Sequence, residues 1–197
     1  MAGKVRWGVL GSGGIARRRT IPEGIAAAAS AELTAVFDID PRVNDEVASQ
    51  LGARACGGEA ELLADADVDA VYIATPANLH REQALAAAGA GRHVFCEKPL
   101  GLTAADSREM IAACDGAGVK LGVGFMMRFH AAHREALRLI REGRLGTLVF
   151  GRGQLSCWYP PIEGAWRQEP ETSGGGALMD MGGHCIDLLE MFFGPAR

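Results

Sequence analysis

The sequence predicts an α/β fold built on a doubly wound parallel sheet. Three observations point there. Val5–Ala16, VRWGVLGSGGIA, reads as a buried strand, a glycine turn and the first turn of a helix. Ala70-Val71-Tyr72-Ile73-Ala74 is a near-continuous apolar run, the pattern of a strand buried on both faces of a parallel sheet. Between and beyond them, strand-like and helix-like segments alternate, which is the pattern of βαβ units.

Each element follows from local chemistry. Val5, Trp7, Val9 and Leu10 supply the first strand, and a helix begins near Gly14. Pro22 is expected to break that helix at Thr20-Ile21, with a second piece from Pro22 to Ala29. Glu32–Phe37 reads as the second strand. Arg42–Leu51 carries Val43, Val47, Ala48 and Leu51 at helical spacing, and Gly52 stops it. Ala53–Ala55 is a short strand and Glu59–Leu63 a short helix. After the apolar strand, a helix begins at Asn78 or Leu79 and ends in Gly89-Ala90-Gly91. His93–Cys96 is the next strand. Thr103 caps a helix to about Gly116, with Asp106 as the acidic partner of a capping box. Val119–Val123 is the last strand of this series. From Gly124 the texture changes. Phe129–Arg141 reads as an amphipathic helix closed by Gly143, Leu145–Trp158 as a strand, Tyr159–Gly176 as a polar loop, and Ala177–Phe193 as a helix.

The bulk numbers narrow the functional classes. The chain has 197 residues, 48% hydrophobic and 22% charged, which is ordinary globular composition. Net charge is −4 and no basic block occurs, so neither nucleic acid nor an anionic membrane surface is an expected partner. No apolar run approaches a membrane span, and the N-terminus lacks a signal-peptide pattern. The five cysteines, Cys56, Cys96, Cys114, Cys157 and Cys185, are scattered and odd in number, without C-x-x-C. That argues against a disulfide framework or zinc knuckle and for a reduced, cytoplasmic setting.

The chemistry-bearing residues fall at strand ends and on the last helix. Gly11-Ser12-Gly13-Gly14-Ile15-Ala16 fits G-x-G-x-x-A. Gly11 permits a tight turn, Gly13 close approach of backbone to a pyrophosphate, and Ala16 close helix–strand packing. The new helix offers unpaired N–H groups to phosphates. Asp38, where the second strand ends, can accept hydrogen bonds from the adenosine ribose hydroxyls and would repel a 2′-phosphate. NAD is therefore expected, while Arg42 keeps NADP open. The alternative is that Asp38 and Asp40 are turn residues before Pro41. Glu97-Lys98-Pro99 also follows a strand, and Lys98 is a candidate for proton transfer, or simply a surface lysine. Asp180 and His184 lie one turn apart on a helix, where a carboxylate can orient an imidazole as a general base needs, or form an ordinary surface pair. Gly182-Gly183 inside that helix costs about 1 kcal/mol per glycine relative to alanine. That suggests a ligand's close approach. A metal on Asp180, His184 and Cys185 is the weaker reading, and none is expected.

Several pieces, in order along almost the whole chain, carry a resemblance: Gly11–Ala16, Asp38-Ile39-Asp40-Pro41, Thr75-Pro76-Ala77-Asn78-Leu79-His80, Glu97-Lys98-Pro99, Arg128-Phe129, Trp166-Arg167, and Gly174-Gly175-Gly176 through Asp180, His184 and Asp187. The chain resembles the glucose–fructose oxidoreductase / inositol dehydrogenase family, often written Gfo/Idh/MocA. The resemblance implies a dinucleotide-binding Rossmann domain over 1–123. A partial C-terminal substrate and catalytic domain follows over 124–197, the start of an α+β unit with a mostly antiparallel sheet. It implies hydride transfer between NAD(P) and a sugar, cyclitol or similar hydroxyl/carbonyl pair. Lys98, Asp180 and His184 would be the catalytic set, and the Lys98–Pro99 bond is often cis in relatives. Thr75, Pro76, Asn78, His80 and Glu97 would line the cofactor, and Arg128, Trp166 and Arg167 would lie near the nicotinamide or substrate. Relatives run on well beyond this length, so a fragment or truncated form is expected, and its exposed half-sheet would favour a homo-oligomer. Two other functions fit the same scaffold: an NAD-dependent glycosidase, and a non-catalytic dinucleotide-binding protein.

Overall fold

Six short apolar segments pair into one parallel sheet: β1 (Val5–Leu10), β2 (Ala31–Phe37), β3 (Arg54–Ala55), β4 (Ala70–Ile73), β5 (His93–Cys96) and β6 (Leu121–Val123). Their order across the sheet is β3-β2-β1-β4-β5-β6. The computed structural model describes residues 3–196, which divide into two compact units, one ending at Val123 and the other beginning at Gly124.

In the first unit, alternation along each strand loads both faces of the sheet. Leu10, Val71, Ile73, Val94 and Cys96 face one layer with Leu62, Ala84, Ala87 and Met110, from α2 (Glu59–Ala64), α3 (His80–Gly89) and α4 (Ala104–Gly116). Val9, Val36 and Tyr72 face the other with Ala16, Ile21 and Val47, from a π-helix (Ala16–Ile25) and α1 (Pro41–Leu51). The caps are those the residues dictate. Asp40 accepts from the Arg42 N–H at 2.9 Å to start α1, and Gly52 at φ 69° ends it. Thr103 and Asp106 form a complete capping box on α4.

The break expected at Pro22 is corrected. One helix runs from Ala16 to Ile25 with Pro22 inside it. Its turns are widened to π geometry, as the Ala26 N–H donating to the Ile21 carbonyl at 2.8 Å shows. A proline lacks the N–H and crowds the carbonyl one α-turn back. Widening the turn relieves that clash, while buried Ile21 and Ile25 anchor the helix to the sheet.

In the second unit the described residues form α5 (Ala131–Arg141), α6 (Pro170–Ser173), a π-turn (Leu178–Gly182) and α7 (Gly183–Phe193). The strand expected at Leu145–Trp158 is not formed, and among the described residues no strand follows Val123. A strand is defined by its ladder, and here the apolar side chains of Val149, Phe150 and Trp158 face outward without one. The loop expected over 159–176 contains a 3₁₀ turn at Trp166–Gln168 as well as α6. The single helix expected over 177–193 is a π-turn leading into α7.

Candidate active site

Sheet register brings the sequence motifs of the first unit to one edge. Leu10 pairs with Phe37 and with Ile73, Ile73 with Cys96, and Cys96 with Val123. The residues just beyond these positions therefore lie side by side: Gly11 after β1, Asp38 after β2, Ala74-Thr75 after β4, and Glu97-Lys98 after β5. β1 is also where the strand order reverses, the position at which open α/β sheets leave a crevice for ligand.

The glycine turn is built as its sequence requires. Gly11 has φ +76°, and a Cβ there would stand 2.8 Å from the Thr75 nitrogen and 2.9 Å from the Ala74 carbonyl atoms. Only glycine allows the turn after β1 to approach the end of β4 so closely. The Gly13 N–H donates to Asp38 Oδ2 at 2.8 Å, and the Asp40 N–H donates to Asp38 Oδ1 at 3.1 Å. Asp38 thus braces the turn, and Asp40 is the cap of α1; the turn-residue reading describes their side chains correctly. A carboxylate has about four acceptor positions, so Asp38 retains capacity for ribose hydroxyls. The Ser12 side chain is fully buried, and its hydroxyl has no hydrogen-bond partner among the described residues. An unmet buried hydroxyl costs roughly 1–3 kcal/mol. Beside a helix N-terminus that favours anions, that unmet group fits a dinucleotide diphosphate.

At the ends of β4 and β5 the side chains form two relays. The Tyr72 hydroxyl donates to Glu97 Oε1 at 2.7 Å and lies 3.0 Å from Thr20 Oγ1, while the Lys98 N–H donates to Glu97 Oε2 at 3.3 Å. Burial, helped by the charge on Glu97, pushes the Tyr72 phenol upward, so it stays protonated and donating. On the other side the Thr75 hydroxyl donates to Gln83 Oε1 at 2.5 Å, and Gln83 Nε2 donates to Glu59 Oε1 at 2.5 Å. The Lys98–Pro99 peptide is cis. His80 requires a correction: expected along the cofactor, its side chain is fully buried, with Nδ1 2.8 Å from the Pro99 carbonyl and Nε2 3.0 Å from that of Thr75. Ala77 is buried in the 3₁₀ turn that leads from Pro76 through Asn78 to His80. Tyr72 and Gln83 were not singled out from sequence. A tyrosine inside an aliphatic strand was the available signal, because a buried hydroxyl needs a partner.

In the second unit, Arg128 Nε donates to both oxygens of Asp187, at 2.7 and 2.8 Å, tying the 3₁₀ turn Met126–Phe129 to α7. The Arg167 guanidinium stacks 4.4 Å above the Trp166 ring, and its Nε lies 3.9 Å from Asp180 Oδ1. Asp180 sits in the π-turn and His184 on the first turn of α7. His184 is buried, edge-on to Phe125 at 6.1 Å. A Cβ on Gly182 would meet the exposed Leu178 side chain, at Cδ1, at 2.7 Å, and one on Gly183 would stand at ordinary contact distance, 3.7 Å, from the Phe125 ring. Arg167, Asp180, Tyr159 and Gln168 line a cleft of about 460 Å³. Among the described residues no group of three or more His, Cys, Asp or Glu side chains is placed to hold a metal.

The profile of an oxidoreductase family with an NAD-binding Rossmann fold matches residues 5–125. The chain belongs to the Gfo/Idh/MocA oxidoreductase family. A profile of the GFO/IDH/MocA C-terminal domain matches residues 133–197. The chain is 40% identical to a 1,5-anhydro-D-fructose reductase of Ensifer adhaerens over 185 residues, covering 93% of this chain and 55% of the relative. It is 35% identical to D-xylose 1-dehydrogenase (NADP(+)) 2 of Haloferax volcanii, covering 95% and 57%. The WlbA dehydrogenase of Bordetella pertussis, solved with NADH and UDP-GlcNAcA, superposes with a TM-score of 0.84 at 34% identity, covering 98% of this chain and 56% of that one. The chain thus spans a little over half the length of these relatives. Its N-terminal unit is the NAD-binding Rossmann domain of this Gfo/Idh/MocA protein. No helix among the described residues is long and apolar enough to cross a membrane.

Proposed function

We propose that this Gfo/Idh/MocA protein transfers hydride between a nicotinamide dinucleotide and the CH–OH/C=O pair of a sugar- or cyclitol-like substrate. Residues 1–123 serve as the dinucleotide domain, and residues 124–197 as part of the substrate and catalytic domain. The observation that carries the proposal is the alignment of Gly11, Asp38, Thr75 and Glu97-Lys98 along one sheet edge at the strand-order reversal.

In the oxidative direction the substrate alcohol would become a carbonyl, its carbon giving up a hydride to the bound dinucleotide and its hydroxyl a proton to a side chain and then to solvent. The nicotinamide ring, when bound, supplies the hydride acceptor. The residues of this chain do the rest. The amides of Gly11, Ser12 and Gly13 already donate to Phe37 and Asp38, so the diphosphate is held by those of Gly14, Ile15 and Ala16 at the start of the helix, and Asp38 holds the ribose hydroxyls. Thr75, Pro76, Asn78 and Glu97 shape the cofactor's bed. Lys98 Nζ and the His184 imidazole are the two groups for the hydroxyl proton, with Asp180 orienting the imidazole and Lys98 steadying negative charge developing on oxygen. Arg128, Trp166 and Arg167 border the nicotinamide or substrate. The Asp38 carboxylate disfavours a 2′-phosphate, while exposed Arg42 is turned to Asp40 at 3.6 Å, so NAD is the preferred dinucleotide. Exposed Val149, Phe150 and Trp158 support self-association, which sedimentation of the purified chain tests.

The decisive experiment titrates the chain with NADH and NADPH by fluorescence, then assays hydride transfer with sugars and inositols in the longest natural form. NADH binding that Asp38→Ala weakens, with turnover lost in Lys98→Ala, supports the reading. No dinucleotide binding at millimolar concentration defeats it. Turnover without net NADH points instead to the glycosidase chemistry, and undiminished function in Lys98→Ala to a non-catalytic protein.

A further inference from the structure

α3 is mostly alanine on its buried side, yet it places two polar side chains there, His80 and Gln83, one turn apart. Burying such groups is costly unless they are bonded. Both are bonded, and both reach the same residue. Gln83 Oε1 accepts from the Thr75 hydroxyl, and the His80 ring lies 3.0 Å from the Thr75 carbonyl through Nε2. The other ring nitrogen, Nδ1, is 2.8 Å from the Pro99 carbonyl, directly after Lys98. One imidazole therefore spans the turn after β4 and the loop after β5. Glu59 extends the clamp by accepting from Gln83 Nε2, which fixes the orientation of the amide.

The ring has a built-in tension. A neutral imidazole carries one N–H, and both of its neighbours are carbonyl acceptors. One contact is then a hydrogen bond, while the other sets a nitrogen lone pair against oxygen. A proton on both nitrogens would satisfy both carbonyls, and nearby Glu97 favours it. Burial acts more strongly in the other direction and holds the ring's pKa below its ordinary value. A ring in this position responds to small displacements of either carbonyl.

We propose that His80 and Gln83 are positioning residues. They lock the Thr75 turn and tie it through Pro99 to the Lys98 loop, so that a dinucleotide lying on the turn and the Lys98 amine keep a fixed separation. The inference rests on the dinucleotide reading above. Coupling of this kind is reciprocal: a ligand that loads the Thr75 turn must perturb the ring, and altering the ring must alter the ligand's affinity.

The test uses the full chain labelled with ¹⁵N-histidine and titrated with NADH. The two imidazole nitrogens of His80 are assigned by their loss in His80→Asn. Their resonances are expected to shift in step with NADH occupancy. His80→Asn and Gln83→Met are expected to weaken NADH about tenfold or more, with thermal midpoints read alongside. If wild-type protein saturates with NADH and the His80 resonances stay fixed, or if a folded His80→Asn binds NADH as wild type does, the positioning role is overturned while dinucleotide binding stands. Should the variants fail to fold, the His80 ring is assigned through its bonds to the sequentially assigned wild-type backbone, and its response to NADH decides. Absence of NADH binding by wild type defeats both readings.

Discussion

Residues 3–123 and 124–196 use similar side chains to different ends. Val71, Tyr72 and Ile73 in β4 are fully buried, with ladder partners on both sides and helices over both faces. Val149, Phe150 and Trp158 have the same strand-favouring character, yet are 91%, 83% and 85% exposed. What differs is the neighbourhood. β-propensity measures fit to a pleated, half-buried surface rather than a backbone preference, so it produces a strand only where another strand supplies the ladder. The first unit holds its own ladder. In the second, cohesion among the described residues comes from polar ties such as Arg128–Asp187 and from packing along α7.

The sharpest test of that contrast pairs two truncations. Leu62 is fully buried under the sheet, so Leu62→Ala should cost about 2–5 kcal/mol in urea unfolding. Phe150→Ala should stay within about 0.5 kcal/mol, as an exposed side chain does. Equal losses would mean that the second unit buries Phe150 in solution, as self-association would. A second test probes the polar ties. Arg128→Ala leaves Asp187, whose side chain is only 10% exposed, without the Nε donor shared by its two oxygens. The expected cost is about 1–3 kcal/mol, read as faster hydrogen exchange along α7 with the first unit unchanged. Equal exchange in variant and wild type would remove this pair from the unit's cohesion.

The sequence was most informative where each signal was local. The cap at Thr103, the stop at Gly52 and the glycine turn all follow from chemistry within a few residues, and all are present. Pro22 misled because a helix has a wider register available, which a rule about α-turns does not include. The strand at 145–158 misled because its partners are a non-local matter. At the site, the type and order of residues carried the motif, but not the roles of its side chains. His80 is buried beneath the turn, with its ring between two backbone carbonyls. A side chain's direction depends on packing that no spacing rule encodes.

Two titrations extend the contrast to pH, both in the first unit. Burial lowers the His80 pKa in the folded state, so the unfolded chain binds that proton more readily. Its contribution is therefore complete above the unfolded value near 6.5 and is lost as pH falls below it. The slope from one such proton is at most about 1.4 kcal/mol per pH unit. Thermal midpoints should fall between pH 7 and 5 in wild type and less steeply in His80→Asn. Parallel curves would show that the ring titrates as freely as in the unfolded chain.

The smallest expected effect lies at Asp69, where Arg6 donates its backbone N–H and Nε to Oδ2 at 2.9 and 3.1 Å, and its terminal nitrogen to Oδ1 at 2.8 Å. These bonds hold the carboxyl down to about 2. Because the folded value is depressed, the stabilisation is present above the unfolded value near 3.9 and disappears as pH falls through about 2, the opposite end of the acid range from His80. Both side chains are 37% exposed, so solvent screening reduces the pair to roughly 0.2–1 kcal/mol. Asp69→Asn should lower stability at neutral pH by that amount and flatten the profile between pH 4 and 2. Added salt should shrink the neutral-pH difference, since an exposed pair is screened while the buried ring of His80 is not. If salt instead left the Asp69 difference intact, the backbone N–H bond to Oδ2, rather than the ion pair, would be the interaction tying the start of β1 to the residue before β4.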